Sequence, residues 1–144
     1  MIVSSYYETI ELGKKLGEIL EKGSTIVVCG DLASGKTTFT KGIGLGLGIN
    51  ETINSPTFTI LKIYEGRLPL YHIDAYRLDN SNYDLGFNEF DDGITVVEWP
   101  EYYKEYLPKE YINVTFEYID ENTRKVEINA VGDKYKRIMD NFNA

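Results

Sequence analysis

The sequence predicts an α/β sandwich: a mostly parallel sheet with helices on both faces and an antiparallel hairpin component. Three observations carry that prediction. Short β-branched apolar runs recur along the chain, at Ser24–Cys29, Gly93–Glu98 and Ile112–Ile119, as in buried strands. A stripe of Leu12, Leu16, Ile19 and Leu20 at helical spacing precedes the first run. A glycine-bearing turn then joins that run to a second helical segment, so strands are interspersed with helices.

In chain order, the first helix is expected over roughly Glu8 to Lys22, with Gly23 as its stop. Gly30 to Lys36 is a loop, and a helix follows to about Leu47. Local sequence opposes that helix. Gly42, Gly44, Gly46 and Gly48 alternate with apolar residues, and each interior glycine costs a helix about 1 kcal/mol relative to alanine. Helix is still expected, because the turn before it requires one. Glycines there would let the helix press close to the sheet or to a neighbour. Thr57–Tyr64 and Leu68–Asp74 form two strands about Glu65-Gly66. Asn80–Asp92 is polar and irregular, with room for one helical turn. Ile112–Ile119 and Lys125–Val131 pair across the polar turn Asp120–Thr123, and a terminal helix covers roughly Lys134–Phe142.

The 144 residues fit a single domain, 1–144, with one core. Hydrophobic residues make up 42% and charged residues 26% of the chain, a globular balance. No window approaches the ~18 apolar residues that span a bilayer, and the N-terminus lacks a basic, then apolar, leader. The expectation is a cytoplasmic protein with no membrane partner. One cysteine, Cys29, makes no internal disulfide and is expected as a buried small residue. Net charge is −8, from 15 basic and 23 acidic residues. A free-standing nucleic-acid binder carries a basic excess to neutralise phosphates, so no DNA partner and no unaided tRNA binding are expected, short of a local basic patch.

The chemistry lies in Gly30-Asp-Leu-Ala-Ser-Gly35-Lys36-Thr37, which matches G-x-x-x-x-G-K-[ST] in full and follows an apolar strand directly. Glycines let the backbone turn its N–H groups around an anion. The next helix adds unpaired N–H groups and a positive dipole end. Lys36 brings a compact cation to the β- and γ-phosphates. The Thr37 hydroxyl completes the shell of Mg²⁺, a hard ion that prefers oxygen. The pattern makes the fold P-loop NTPase-like, with ATP and Mg²⁺ as cofactors.

Hydrolysis needs a further carboxylate from a second strand. Ile94-Thr-Val-Val97 followed by Glu98 has that form. Asp74, in His72-Ile-Asp74-Ala-Tyr76-Arg77, is the other candidate. It would bind Mg²⁺ directly or through water, orient the attacking water, or serve as a structural hydrogen-bond partner. His72, the sole histidine, is read as structural before catalytic. Arg77 meets either phosphate charge or an acid. Ser55-Pro56-Thr57 suits a γ-phosphate-sensing loop or a plain turn. Tyr102, Tyr103 and Tyr106 offer a docking face or ordinary packing.

Glu8-Thr-Ile-Glu-Leu-Gly13, Gly30 through Phe39, Ser55-Pro-Thr-Phe58, Tyr71-His-Ile-Asp-Ala-Tyr-Arg-Leu78 and Val96-Val-Glu-Trp-Pro-Glu101 occur in that order. Together they resemble the TsaE family, P-loop ATPases of bacterial tRNA threonylcarbamoyladenosine synthesis. The resemblance covers most of residues 8 to 101 and implies a small ATPase, weak alone, that works with TsaD and TsaB and meets tRNA only through that complex. It implies that Gly30 and the run Ala33, Ser34, Gly35, Lys36, Thr37 and Thr38 bind the phosphates. Thr37 and Glu98 would hold Mg²⁺, and Lys36, Asp74 and Glu98 would form the catalytic centre. It further implies nucleotide contacts from Tyr6 and Arg124. Ala33 and Ser34 stand where the family usually has Gly and Ala, which bears on fine loop geometry.

Two other enzyme classes fit the turn less well. A P-loop small-molecule kinase closes an arginine-rich lid, and the arginines here, Arg67, Arg77, Arg124 and Arg137, are scattered. A GTPase would show an Asn/Thr-Lys-x-Asp signature, which is absent. A non-hydrolytic nucleotide-sensing module keeps the same cradle, and only phosphate release separates it from an ATPase.

Overall fold

The computed structural model describes residues 1–30, 35–53, 61–75, 91–99 and 107–142. The elements are β1 (Ile2–Val3), α1 (Tyr6–Ile19), β2 (Thr25–Cys29), α2 (Lys36–Gly46), β3 (Leu61–Tyr64), β4 (Leu70–Asp74), β5 (Ile94–Glu98), β6 (Tyr111–Tyr118), β7 (Arg124–Val131) and α3 (Asp133–Phe142). One sheet holds all the described strands in the order β1-β7-β6-β2-β5-β4-β3. Its centre, β6-β2-β5-β4, is parallel, and antiparallel pairs β3–β4, β6–β7 and β1–β7 finish the two sides. The expected α/β class and both hairpins are present. The two-residue β1 was not anticipated, being too short to show a period, and it is fixed by reciprocal bonds between Met1 and Val126.

The parallel centre is apolar because each strand is packed on both faces. β2, β4 and β5 bury nearly every residue. Alternate positions, Ile26 and Val28, Ile94 and Val96, Ile112, Val114 and Phe116, meet Leu16, Phe39, Ile43 and Leu47 of the helices in one core cluster. Tyr135, Ile138, Met139 and Phe142 of α3 join the same cluster, and the Lys15 ammonium of α1 lies 4.9 Å from the Phe142 ring. Helices were expected on both faces; among the described residues α1, α2 and α3 share this one.

α1 starts earlier than its apolar stripe, because its signal is a cap. The Ser5 hydroxyl accepts from the Glu8 amide at 3.1 Å, and the Glu8 carboxylate accepts from the Ser4 amide at 2.7 Å. It also stops before Gly23. Leu20 turns extended at φ −69°, ψ 140° and is buried in the core. Gly23, at φ 86°, turns the chain afterwards and donates to the Gly93 carbonyl at 2.7 Å. Cys29 is half-buried, 3.5 Å from the Asn113 side-chain oxygen.

The glycines of α2 are resolved by tertiary contact. Gly13 and Gly17 of α1 face Gly42 and Gly46 of α2, each pair one turn apart. A Cβ on Gly13 would stand 3.0 Å from the Gly42 Cα and overlap the Phe39 carbonyl oxygen. A Cβ on Gly42 would overlap the Ile10 carbonyl oxygen in the same way. Two backbones thus touch where side chains would hold them apart. Dispersion attraction between the touching backbones offsets the helix-propensity penalty. At the C-terminus, Gly48 (φ 74°) donates to Leu45 at 3.1 Å and Ile49 to Gly44 at 3.0 Å, closing a Schellman motif.

Gly42→Ala should therefore lower stability by about 2 kcal/mol or more, as overpacking against backbone does. Gly48→Ala has open space around its Cβ and should lose only the roughly 1–2 kcal/mol of a left-handed alanine. Urea denaturation of both variants checks the order; a Gly42→Ala protein as stable as the parent would contradict the helix contact.

Candidate functional site

Parallel strands end together, and their ends set the site. Val28 of β2 and Asp74 of β4 both pair in register with Glu98, the last residue of β5. Ligands of open α/β sheets bind outside such carboxyl ends. The chain leaves β2 through Gly30 at φ 149° and enters α2 from Gly35 at φ 112°, ψ 8°. That left-handed N-cap is a conformation only glycine adopts cheaply. The Phe39 amide bonds to the Gly35 carbonyl at 2.9 Å, so the helix begins at Lys36 and its first turn lies at the sheet edge. N–H groups of a first turn have no intrahelical acceptors, and the dipole there is positive.

Lys36 is 5% exposed. Its Nζ donates to the Gly30 carbonyl at 2.8 Å and lies 3.4 Å from the centre of the Trp99 ring. The ammonium is therefore held across the turn by a carbonyl and a cation–π contact. Trp99 is a non-glycine residue at φ 60°, a left-handed conformation that strains a bulky side chain. Thr37 and Thr38 are half-buried on the first turn of α2.

Glu98 is 3% exposed and accepts a hydrogen bond on Oε2 from His72 Nε2; His72 is fully buried. Its other ring nitrogen, Nδ1, is buried without a partner among the described residues. Residues 72 and 74 share a face of β4, and half-buried Asp74 ends that strand beside Glu98.

The remaining candidates border the same edge. Tyr6 opens α1, is half exposed, and stacks edge-on with Tyr7. One turn on, Thr9 approaches the Gly35 position. Phe116 of β6 also lies against Gly35, and two residues further Tyr118 pairs with Arg124 of β7. The Arg124 guanidinium lies 4.6 Å from the Tyr118 ring and donates to the Thr123 carbonyl at 3.0 Å. Asp120 shapes this turn, and hydrogen bonds from Asn122 and Thr123 hold its carboxyl below the usual range.

Gly30, Gly35, Lys36, Thr37, Thr38, Asp74 and Glu98 thus meet at the strand ends, with Tyr6 and Arg124 at the flank. Ala33, Ser34, the Ser55-Pro56-Thr57 segment, Arg77 and the Tyr102–Tyr106 cluster lie outside the described residues. Two contacts escaped the sequence: His72 on Glu98, and Trp99 on Lys36. The sequence puts His72 on the same strand face as Asp74, but its contact with Glu98 follows only from the β4–β5 register. No sequence signal existed for the second.

Known proteins resemble this chain in sequence and in fold. The family model described as threonylcarbamoyl adenosine biosynthesis protein TsaE matches residues 3–126. The tRNA threonylcarbamoyladenosine biosynthesis protein TsaE of Bacillus subtilis is 39% identical over 139 residues, covering 94% of this chain and 88% of that one. Its namesake from a Nostoc species is 47% identical over 128 residues, covering 83% and 78%. The crystal structure of Bacillus subtilis YdiB superposes with a TM-score of 0.86 at 33% identity, covering 99% of this chain and 92% of that one.

Trp99 is the sole tryptophan, so its emission reports its contact with Lys36. Lys36→Met should shift or rescale that emission in otherwise folded protein. An unchanged spectrum would place the ring away from the ammonium.

Proposed function

The chain belongs to the TsaE family of threonylcarbamoyl adenosine biosynthesis proteins, and from that premise we propose that it is a cytoplasmic, Mg²⁺-dependent ATP-binding protein and weak ATPase. It would support threonylcarbamoyladenosine modification of tRNA together with TsaD and TsaB, as one P-loop domain. The observation that carries the proposal is the strand-to-helix turn. A left-handed Gly35 starts α2, and Lys36 follows with its Nζ on the Gly30 carbonyl, at the C-terminal end of the parallel strands. Among the described residues no helix is long and apolar enough to cross a membrane.

The residues present suit Mg²⁺. Thr37 and Glu98 offer hard oxygen donors, and Glu98 is bonded through Oε2 alone among the described residues. Among those residues no three His, Cys, Asp or Glu side chains cluster as a metal cage. The ion would then be shared with nucleotide phosphates and water, its usual mode. When bound, it supplies charge neutralisation and aligns the attacking and leaving oxygens.

The chain's own groups do the rest. Backbone N–H groups from Ala33 to Thr38 would bind the β- and γ-phosphate oxygens. Lys36 Nζ would pass from the Gly30 carbonyl to those oxygens. The Thr37 hydroxyl and a Glu98 oxygen would hold the metal, and an Asp74 carboxylate oxygen would accept a hydrogen bond from the attacking water and orient it. Tyr6 and Arg124 would reach the nucleotide from the flank.

Lys36→Ala should weaken ATP binding about ten- to a hundredfold, the worth of a charge-assisted contact. Calorimetry reads it, and equal affinity would refute the cradle. Glu98→Gln should keep the fold while losing Mg²⁺-dependent phosphate release at least about tenfold. Reconstitution with TsaD, TsaB and tRNA, comparing wild type with Lys36→Ala, tests the pathway assignment; full modification by the variant would remove ATP turnover from it.

A further inference from the structure

His72 is the one histidine of the chain, and none of its surface is exposed. It stands on the helix-facing side of β4, among Leu70, Ile94 and Val96 of the apolar core. Packing alone does not account for it. An apolar side chain would fill that volume without burying a ring nitrogen that has no partner among the described residues, and such a nitrogen carries a desolvation cost. What the imidazole gains among the described residues is the hydrogen bond from Nε2 to Oε2 of Glu98. Glu98 is itself buried. A carboxylate there is held in one orientation only if a donor fixes it.

We propose that His72 is a positioning residue for the Mg²⁺ site. Its Nε2–H commits Oε2 of Glu98 to the imidazole and so reserves Oε1 as the oxygen that holds the ion. The imidazole touches neither nucleotide nor metal; it acts through Glu98, as hydrogen-bond partners behind metal ligands generally do. The proposal rests on the ATP and Mg²⁺ assignment above and adds a residue to it.

The test compares His72→Asn with His72→Gln. Both side chains are polar amides with an N–H₂ donor. Glutamine reaches the place of Nε2, whereas asparagine ends near that of Nδ1 and leaves Glu98 undirected. ATP affinity is measured by calorimetry with Mg²⁺ and again in EDTA. In wild type the ratio of the two affinities is the metal-linked gain. His72→Asn should cut that ratio by about tenfold or more while its affinity in EDTA stays within about twofold. His72→Gln should recover the ratio to within about threefold of wild type. A wild-type ratio in His72→Asn overturns the proposal. So does an equal loss in both variants, which would mean that ring packing matters and the donor does not. So does an EDTA affinity that falls in step with the Mg²⁺ affinity, which would mean a distorted phosphate turn. Wild-type protein that binds no ATP under either condition overturns the ATP assignment, and the role of His72 with it.

Discussion

The contact between the backbones of α1 and α2 is the constraint on which the site depends. Gly13, Gly17, Gly42 and Gly46 let the two helices meet without intervening side chains. α1 is anchored in turn by its Ser5–Glu8 cap, and β1, just before it, is tied to β7. α2 is therefore fixed along its length, and its first residue cannot drift from the end of β2. A helix dipole acts only within about one turn. Placing that turn above the parallel strand ends is thus a matter of packing about ten to fifteen ångströms away as much as of the loop itself, at a 1.5 Å rise per residue.

The strand ends gather opposite charges in a space that is mostly dry. Lys36 and Glu98 are both nearly excluded from solvent. A buried charge is tolerated when it is paired or hydrogen-bonded, and each has its own provision: a carbonyl and an aromatic face for the ammonium, an imidazole for the carboxylate. Asp74 adds a second acid in register beside Glu98. Two neighbouring carboxylates raise local negative potential, which a divalent cation relieves. A net charge of −8 over the whole chain points the same way, toward cations and away from bare nucleic acid.

Much of the fold was legible because its signals were local. The β-branched runs became β2, β5 and β6, and the polar turn at Asp120–Thr123 joined a hairpin. α2 shows the other case. Its glycines spell a strand, and only the phosphate-turn pattern argued for helix; the reason helix wins lies in α1, about thirty residues upstream. The early stop of α1 was illegible for a related reason. Leu20 belongs to the helical stripe by spacing, yet it enters the core with extended backbone. Of the site, strand ends and the turn were readable, since Glu98 and Asp74 each close an apolar run. The pairing of His72 with Glu98 was not, because it needs the β4–β5 register, and register is set by the whole sheet.

The contacts of Lys36 set what an anion reaching this turn would have to displace. Its ammonium is not idle: Gly30 and Trp99 already hold it in a nearly buried position. A phosphate that takes this cation must replace a carbonyl bond and a desolvated cation–π contact, so only the difference between the two arrangements favours binding. Trp99 also sits in a strained left-handed conformation directly after Glu98. Any contact that drew Trp99 off the ammonium would remove one of the interactions that hold the cation against the turn. Such a contact would lower the cost of presenting the ammonium to an anion without touching that anion, because a ligand shifts an equilibrium by its differential contacts with the two states.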